Sequence, residues 1–225
     1  MADLRRGAGV KIWQAILLAL TLGGIGGLAL AQTYPSNQLP MYGSQPKTEA
    51  VRKAEDGFIR RSVAEAGSRA AASDKRVALG WRSFSEHRDL GTAMRRFNQA
   101  WLLDPDNGDA YHGFALVVFT RDRDAGLAEE LFERAIAAPR QNTNAFVDYG
   151  RFLLMTGRPE RAVPLLEKAI ERGGSSDARA LLALAWRDQG DAARACAEAR
   201  KVPAGTQMQL RREIDSILNG PDCSR

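Results

Sequence analysis

Apolar residues recur along the chain with the three- and four-residue spacing that is typical of amphipathic helices. A lead segment over residues 47–66 and a final segment over 206–219 carry this spacing, and between them the apolar segments come in pairs. Turn residues such as Gly, Pro and Asp separate the members of each pair. Gly67 is the predicted C-cap of the lead helix, and Ser68 is the predicted N-cap of the next helix. The pattern predicts an all-α protein.

One motif, Ala-x3-(large apolar)-x2-Ala, recurs in the second segment of each pair. It begins at Ala93, Ala128 and Ala162, with a degraded copy at Ala195, so the leading alanines lie 35, 34 and 33 residues apart. One extra residue at the turn of the second copy accounts for the longest interval. The first segment of each pair also repeats, as Gly80-Trp81-x2-Phe84, Tyr111-x2-Phe114-Ala115, Phe146-x2-Tyr149-Gly150 and Leu182-Ala183-x2-Trp186.

A period of about 34 residues built from two helices is the mark of the tetratricopeptide repeat. The region from Ser73 to Val202 resembles that family. The resemblance implies an all-α right-handed α-solenoid of about four helix pairs, with a leading helix and a C-terminal capping helix. We therefore expect a signal peptide or membrane anchor over 1–31, an extended leader over 32–46, the leading helix over 47–72, the repeats over 73–202, and the capping helix and tail over 203–225.

The family resemblance also implies a binding surface. In such solenoids the first helix of each pair lines the concave face, where an extended or helical peptide is bound. Arginine forks there suit carboxylates or peptide termini, and leucine and phenylalanine suit apolar side chains. A solvated surface with Phe119 packed against the capping elements is the alternative. The predicted concave-face residues are Arg82, Glu86, His112, Leu116, Phe119, Asn144, Val147, Arg151, Leu154, Leu184 and Arg187.

The N-terminus predicts export. Arg5, Arg6 and Lys11 precede the uncharged apolar run Ile12–Leu22, and the small residues Ala29 and Ala31 follow, in the spacing at which a signal peptidase cleaves. Cleavage after Ala31 would place the protein in a bacterial periplasm. The alternative is an uncleaved inner-membrane anchor that faces the periplasm, because residues 12–31 are uncharged and about 20 apolar residues can span a bilayer.

Charge and cysteine content refine this picture. The chain has 32 Lys and Arg against 27 Asp and Glu, a formal net charge of +5, part of which belongs to the signal segment. So small a surplus disfavours a dedicated nucleic-acid-binding protein. Cys196 and Cys223 would both enter an oxidising compartment, which permits a disulfide. A buried Cys196 beside an unpaired Cys223 is the equally open alternative.

Candidate chemistry is sparse. The sequence contains no G-x-G-x-x-G, G-K-[ST], G-x-S-x-G or H-E-x-x-H motif, and its two histidines fall in different repeats. We therefore predict no enzyme activity, no cofactor and no metal site. The predicted function is a non-catalytic adaptor or scaffold that binds a protein or peptide of the cell envelope. Two alternatives stay open: a membrane-tethered assembly factor for a secretion, pilus or envelope-polymer machine, and an accessory subunit of an envelope enzyme.

Overall fold

Helix pairs stacked one on the next make up the fold. The computed structural model describes residues 34–223. Consecutive helices pack against each other, and each pair packs on the following pair. The predicted all-α stack of helix pairs is confirmed. Within the described residues the α-helices are α1 (Glu49–Ala66), α2 (Arg69–Ser85), α3 (Leu90–Leu103), α4 (Gly108–Val117), α5 (Ala125–Ala137), α6 (Thr143–Met155), α7 (Pro159–Glu171), α8 (Ser176–Asp188), α9 (Ala192–Ala199) and α10 (Met208–Leu218).

Local capping explains where the helices begin and end. Gly67 ends α1 in the left-handed conformation with φ 85°, and the Ser68 side chain accepts a hydrogen bond from the amide of Ala71 at the start of α2. Both predicted caps are therefore confirmed. Asp89 caps α3 in the same way, and Asp124 and Asp191 cap α5 and α9. A side-chain oxygen at this position satisfies an amide that has no partner within the helix.

The repeated alanines and the large apolar residue between them form the core. Phe97, Phe132 and Leu166 are fully buried, as is each leading alanine of the first three copies. Small residues allow the two helices of a pair to approach closely, and the large residue fills the space against the next pair. Each pair thus depends on its neighbours for burial, as expected for a solenoid.

The turn of the second pair differs from the others. After α4 the chain continues as a π-helical turn, Val118–Asp122, and then Arg123 adopts a left-handed conformation with φ 58°. A π-helical turn accommodates an inserted residue without breaking the helix. The extra residue noted in the sequence is taken up here, and the wider turn changes the direction in which the following side chains point.

The leader is not extended, contrary to the expectation for residues 32–46. In its described part, two 3-10 turns, Ser36–Gln38 and Pro40–Ser44, fold against α3. The fully buried Asn98 of α3 holds them, because its Nδ2 donates to the backbone oxygens of Asn37 (3.0 Å) and Leu39 (2.8 Å). The leader therefore packs on the solenoid's own surface.

Replacing Asn98 with alanine should release the leader. The substitution removes the two hydrogen bonds that Nδ2 donates and the one that Oδ1 accepts from the amide of Tyr42. We expect the free energy of unfolding to fall by about 1–3 kcal/mol. Chymotrypsin should also cleave after Tyr42 faster than in the native protein. Gln99→Ala on the same helix is the matched control, and an unchanged cleavage rate in Asn98→Ala would contradict the assigned role.

One predicted boundary is shifted, and another lies outside the described residues. The leading helix was expected over 47–72, but α1 ends at Ala66 and α2, the first helix of the first pair, already begins at Arg69. The expected boundary therefore falls inside α2. The expected signal or anchor over 1–31 lies outside the described residues. Within residues 34–223, no helix is both long enough and apolar enough to cross a membrane.

Candidate functional site

A groove runs along the first helices of the pairs. Its first part, the acidic pocket, has a volume of about 540 Å³ and is lined by α2, α4, α6 and the start of α8. The second part, the apolar pocket, has a volume of about 500 Å³ and lies between α6, α8 and α10. Arg151 and Gln207 line both pockets, so the two parts adjoin. Elongated grooves of this size suit a segment of polypeptide.

A repeated hydrogen bond positions the aspartates of the acidic pocket. Asn107, the N-cap of α4, donates from Nδ2 to Asp74 Oδ1 on α2 at 3.0 Å. Asn142, the N-cap of α6, donates in the same way to Asp109 on α4. Each asparagine thus starts its own helix and also fixes a carboxylate on the preceding pair. The repeat itself builds this row of negative charge along the groove.

The remaining carboxylates of the acidic pocket are held by Arg151. Its Nη2 lies 3.3 Å from Asp177 Oδ2 on α8, and its Nε lies 3.7 Å from Asp148 Oδ1 on its own helix. Asp177 also accepts a hydrogen bond from the backbone amide of Gln207 at 3.1 Å, which ties the segment before α10 to the groove. Arg151 therefore joins two helices at the point where the two pockets meet.

His112 is buried in the wall of the acidic pocket, with 2% of its surface exposed. Its Nε2 lies 2.9 Å from Asp148 Oδ2. Its Nδ1 lies 4.0 Å from Asp109 Oδ1 and has no hydrogen-bond partner. Burial opposes the charged form, but hydrogen bonding and attraction to Asp109 and Asp148 outweigh it, so the pKa of His112 is raised above its usual value.

This raised pKa makes stability depend on pH. A histidine whose pKa is higher in the folded state binds its proton more tightly there, so its stabilising contribution is complete below its unfolded pKa of about 6.5. The contribution is lost as the pH rises through the raised pKa of His112 in the folded state. Urea unfolding of the native protein should therefore give a higher free energy of unfolding at about pH 6 than at about pH 8.5.

His112→Gln is the variant that checks this assignment. The glutamine amide can still donate to Asp148 but cannot take up a proton in this pH range. The stability gained between the two pH values should be smaller in the variant than in the native protein. If the variant keeps the full pH dependence, His112 is not the group responsible.

The apolar pocket has a different character. Leu154 and Met155 of α6 face Leu184 of α8 and Leu210 of α10 across it. Met155 is 66% exposed, which is unusual for a large apolar side chain. At the rim, Arg187 forms ion pairs of 2.9 Å with Asp188 and with Glu213. The pocket thus presents an accessible apolar floor between paired charges.

The structure brings most of the predicted site residues together. His112, Asn144, Val147 and Arg151 line the acidic pocket. The apolar pocket is lined by Arg151, Leu154, Leu184 and Arg187. Among them, Val147 and Leu184 are nearly buried and form the wall of the groove, whereas Asn144 and Arg187 are exposed.

Four predicted residues lie outside both pockets. Arg82 and Glu86 sit at the end of α2, where they are exposed and pair with each other at 3.1 Å. Leu116 is partly buried and packs on the core. Phe119 lies in the π-helical turn, and its ring packs edge-on against Phe152 with centroids 5.0 Å apart. A regular helix was assumed when Phe119 was placed on the groove, and the wider turn makes that placement wrong.

Several groove residues were not predicted. They include the aspartates 74, 109, 148 and 177, Trp81 on α2, Met155 on α6, and the residues contributed by α10 and the segment before it. The repeat register contained a signal for the aspartates, since Asp74 and Asp109 lie 35 residues apart and Asp177 stands at the equivalent position in the fourth pair. In contrast, the contribution of α10 and the segment before it to the groove depends on how α10 packs against α8, which the repeat register does not predict.

No group of three or more His, Cys, Asp or Glu side chains between residues 34 and 223 is placed to hold a metal ion. At the C-terminal end, Cys196 of α9 and Cys223 are joined by a disulfide, with their Cα atoms 5.5 Å apart. This covalent bond ties the end of the described chain to the last helix pair, beside the apolar pocket.

Comparisons with known proteins identify the class. Residues 119–186 match the family model described as tetratricopeptide repeat. Pseudomonas aeruginosa pilF is 25% identical with a TM-score of 0.58, over 67% of this chain and 69% of that chain. Residues 119–186 are therefore a tetratricopeptide-repeat region, and the described chain shares the fold of tetratricopeptide-repeat proteins.

Two further solved structures share the fold. YrrB, described as a TPR protein with an unusual peptide-binding site, is 23% identical with a TM-score of 0.50, over 64% of this chain and 72% of that chain. MamA from Desulfovibrio magneticus RS-1 is 14% identical with a TM-score of 0.54, over 67% of this chain and 86% of that chain. The curated proteins contain no match to the sequence.

Proposed function

We propose that this protein is a non-catalytic adaptor that binds an extended segment of a partner protein in the groove between its first helices. The observation that carries the proposal is the adjacency of the two pockets, which share Arg151 and Gln207. Together they offer charged groups beside an exposed apolar floor, a combination that recognises both the side chains and the direction of a bound chain. The match of residues 119–186 to the tetratricopeptide repeat, a family of protein-interaction scaffolds, supports the proposal.

The proposed location is the bacterial periplasm, after cleavage of the signal segment at Ala31. The support is the charged start, apolar run and small residues of the N-terminus. Mass spectrometry of the protein purified from its native cells tests this directly, and a mature chain that begins at Gln32 is the expected result. A chain that retains Met1 or Ala2 would contradict it and would favour the membrane-tethered assembly factor.

Site-specific photo-crosslinking in intact cells tests the groove as the binding surface. A photoreactive residue replaces Met155, whose side chain is exposed in the apolar pocket. The control position is Glu167, which is exposed on α7 and outside both pockets. We expect a crosslinked partner from position 155 that is absent from position 167. The same products from both positions would contradict the proposal.

A further inference from the structure

The acidic pocket has an excess of negative charge. Among the described residues that line it, four aspartates face Arg151 and a single histidine. Arg140 pairs with Asp74 at 2.7 Å from beyond the lining and compensates one carboxylate. The side chains of Asp109 and Asp148 remain 24% and 29% exposed, so a ligand can reach both carboxylates. This balance favours a cationic group over an anionic one.

His112 is an exception within the repeat. The equivalent positions in the other pairs, 35 residues before it and 35 and 68 residues after it, hold Val77, Val147 and Ala180. All three are buried, so packing at this position requires only an aliphatic side chain. In its neutral form, a buried imidazole with one nitrogen unpartnered costs free energy relative to those residues. The stack of helices does not need this cost, which indicates a role toward a ligand.

The unpartnered Nδ1 of His112 favours the same kind of ligand as the negative charge of the acidic pocket. A cation bound beside His112 favours the neutral ring over the protonated one. In that ring Nε2 donates to Asp148, and Nδ1 is an acceptor that faces toward the carboxylate of Asp109. A group placed between them must donate hydrogen bonds. The Trp81 ring, which lines the same pocket with its centroid 4.8 Å from that of His112, adds an aromatic face suited to a cation.

From these observations we infer that the acidic pocket binds a Lys or Arg side chain of the partner segment, held by Asp109, Asp148 and His112, while a neighbouring aliphatic side chain enters the apolar pocket. The inference rests on the proposed function, because it names the chemistry of the segment bound in the same groove. The partner is thus a basic and apolar peptide segment, since the carboxylates of an acidic one would be repelled.

A selection experiment tests this inference. Random dodecapeptides displayed on phage are selected on the purified full chain, and the enriched peptides are synthesised with a fluorescent label. We expect enrichment of Lys and Arg over Asp and Glu, with Leu, Ile or Met nearby. Replacement of the enriched basic residue by Gln should weaken binding by about tenfold or more in fluorescence anisotropy, as for loss of a charged hydrogen bond.

Variants of the protein test whether the basic side chain of the peptide binds at Asp109 and Asp148. Asp109→Asn with Asp148→Asn should weaken the basic peptide by about tenfold and barely affect its Gln analogue. The matched control is Glu130→Gln with Glu167→Gln, which removes the same charge from exposed positions outside the groove. Circular dichroism monitors folding. If the double variant unfolds, the single variants Asp109→Asn and Asp148→Asn replace it, each with a smaller loss in the same direction.

The outcomes distinguish this inference from the proposed function. Peptides that lose binding in Met155→Glu but carry no excess of Lys or Arg overturn the inference and leave the proposed function standing. Equal binding of the basic peptide by the aspartate variants and the control also overturns it. Peptides that bind equally well to Met155→Glu and to the native protein overturn the proposed function itself.

Discussion

Truncation of Phe97 to alanine is expected to lower the free energy of unfolding by about 3–5 kcal/mol, the range for a fully buried aromatic side chain. The ring is held from both sides, because a Cβ atom added at Gly80 of α2 would lie 2.5 Å from it and Gly113 of α4 faces the same ring. It also packs edge-on against Trp81, with centroids 5.1 Å apart. Urea denaturation followed by circular dichroism measures the effect.

The cavity left by Phe97 cannot close easily, since the two glycines place helix backbone against it. Leu79→Ala is the matched control, because Leu79 lies on α2 with 40% of its surface exposed. Its truncation should change stability by at most about 0.5 kcal/mol. A loss below about 1 kcal/mol in Phe97→Ala would mean that the first two pairs do not pack through this ring. The groove would also lose the support beneath Trp81.

Removal of the disulfide is the second large effect. Cys196 and Cys223 lie 27 residues apart and enclose α10 in the closed loop. The chain-entropy model gives about 3.5 kcal/mol for a loop of about 27 residues. We therefore expect a double replacement by alanine to lower the free energy of unfolding by about that amount. The loss should be concentrated in α9 and α10, which hydrogen exchange can resolve.

The native protein supplies the control for this prediction. Adding a reductant to it should reproduce the instability of the double variant, and the same reductant should leave the variant unchanged. Equal melting of the native protein with and without reductant would contradict a stabilising disulfide. Since α10 forms one wall of the apolar pocket, reduction should also weaken binding there.

The sequence predicted the stack of helix pairs because each pair is stabilised by neighbours close in the chain. The motif around Phe97 and its copies therefore predicts which side chains of each pair are buried. The caps at Gly67 and Ser68 were also predictable, because a C-cap and an N-cap depend on a few adjacent residues. These two predictions, which depend on residues close together in the chain, were confirmed.

The groove was predicted in part, for two physical reasons. Leu154, Leu184 and Arg151 could be placed by counting along regular helices, but Phe119 could not, because it lies within a π-helical turn. Asp74 and Asp109 are oriented by asparagine side chains of the next pair. Contacts between successive pairs create this arrangement, so it cannot be predicted from the spacing of residues within one helix.

The leader shows a similar limit. Its three prolines and lack of charge indicated an extended chain, but the 3-10 turns it adopts depend on the amide of Asn98, about 60 residues away. A fully buried asparagine on the apolar face of α3 was the available signal. A buried polar side chain of this kind needs a partner, and here the partner is the backbone of the leader.

The central claim is that the groove holds the partner, and one affinity measurement tests it most directly. The segment identified by crosslinking is titrated against Met155→Glu and Met208→Glu, which place the same charge on exposed methionines inside and outside the two groove pockets. We predict that Met155→Glu raises the dissociation constant by about tenfold or more, and that Met208→Glu changes it by less than about twofold. Equal affinity of the two variants for the segment would contradict the claim.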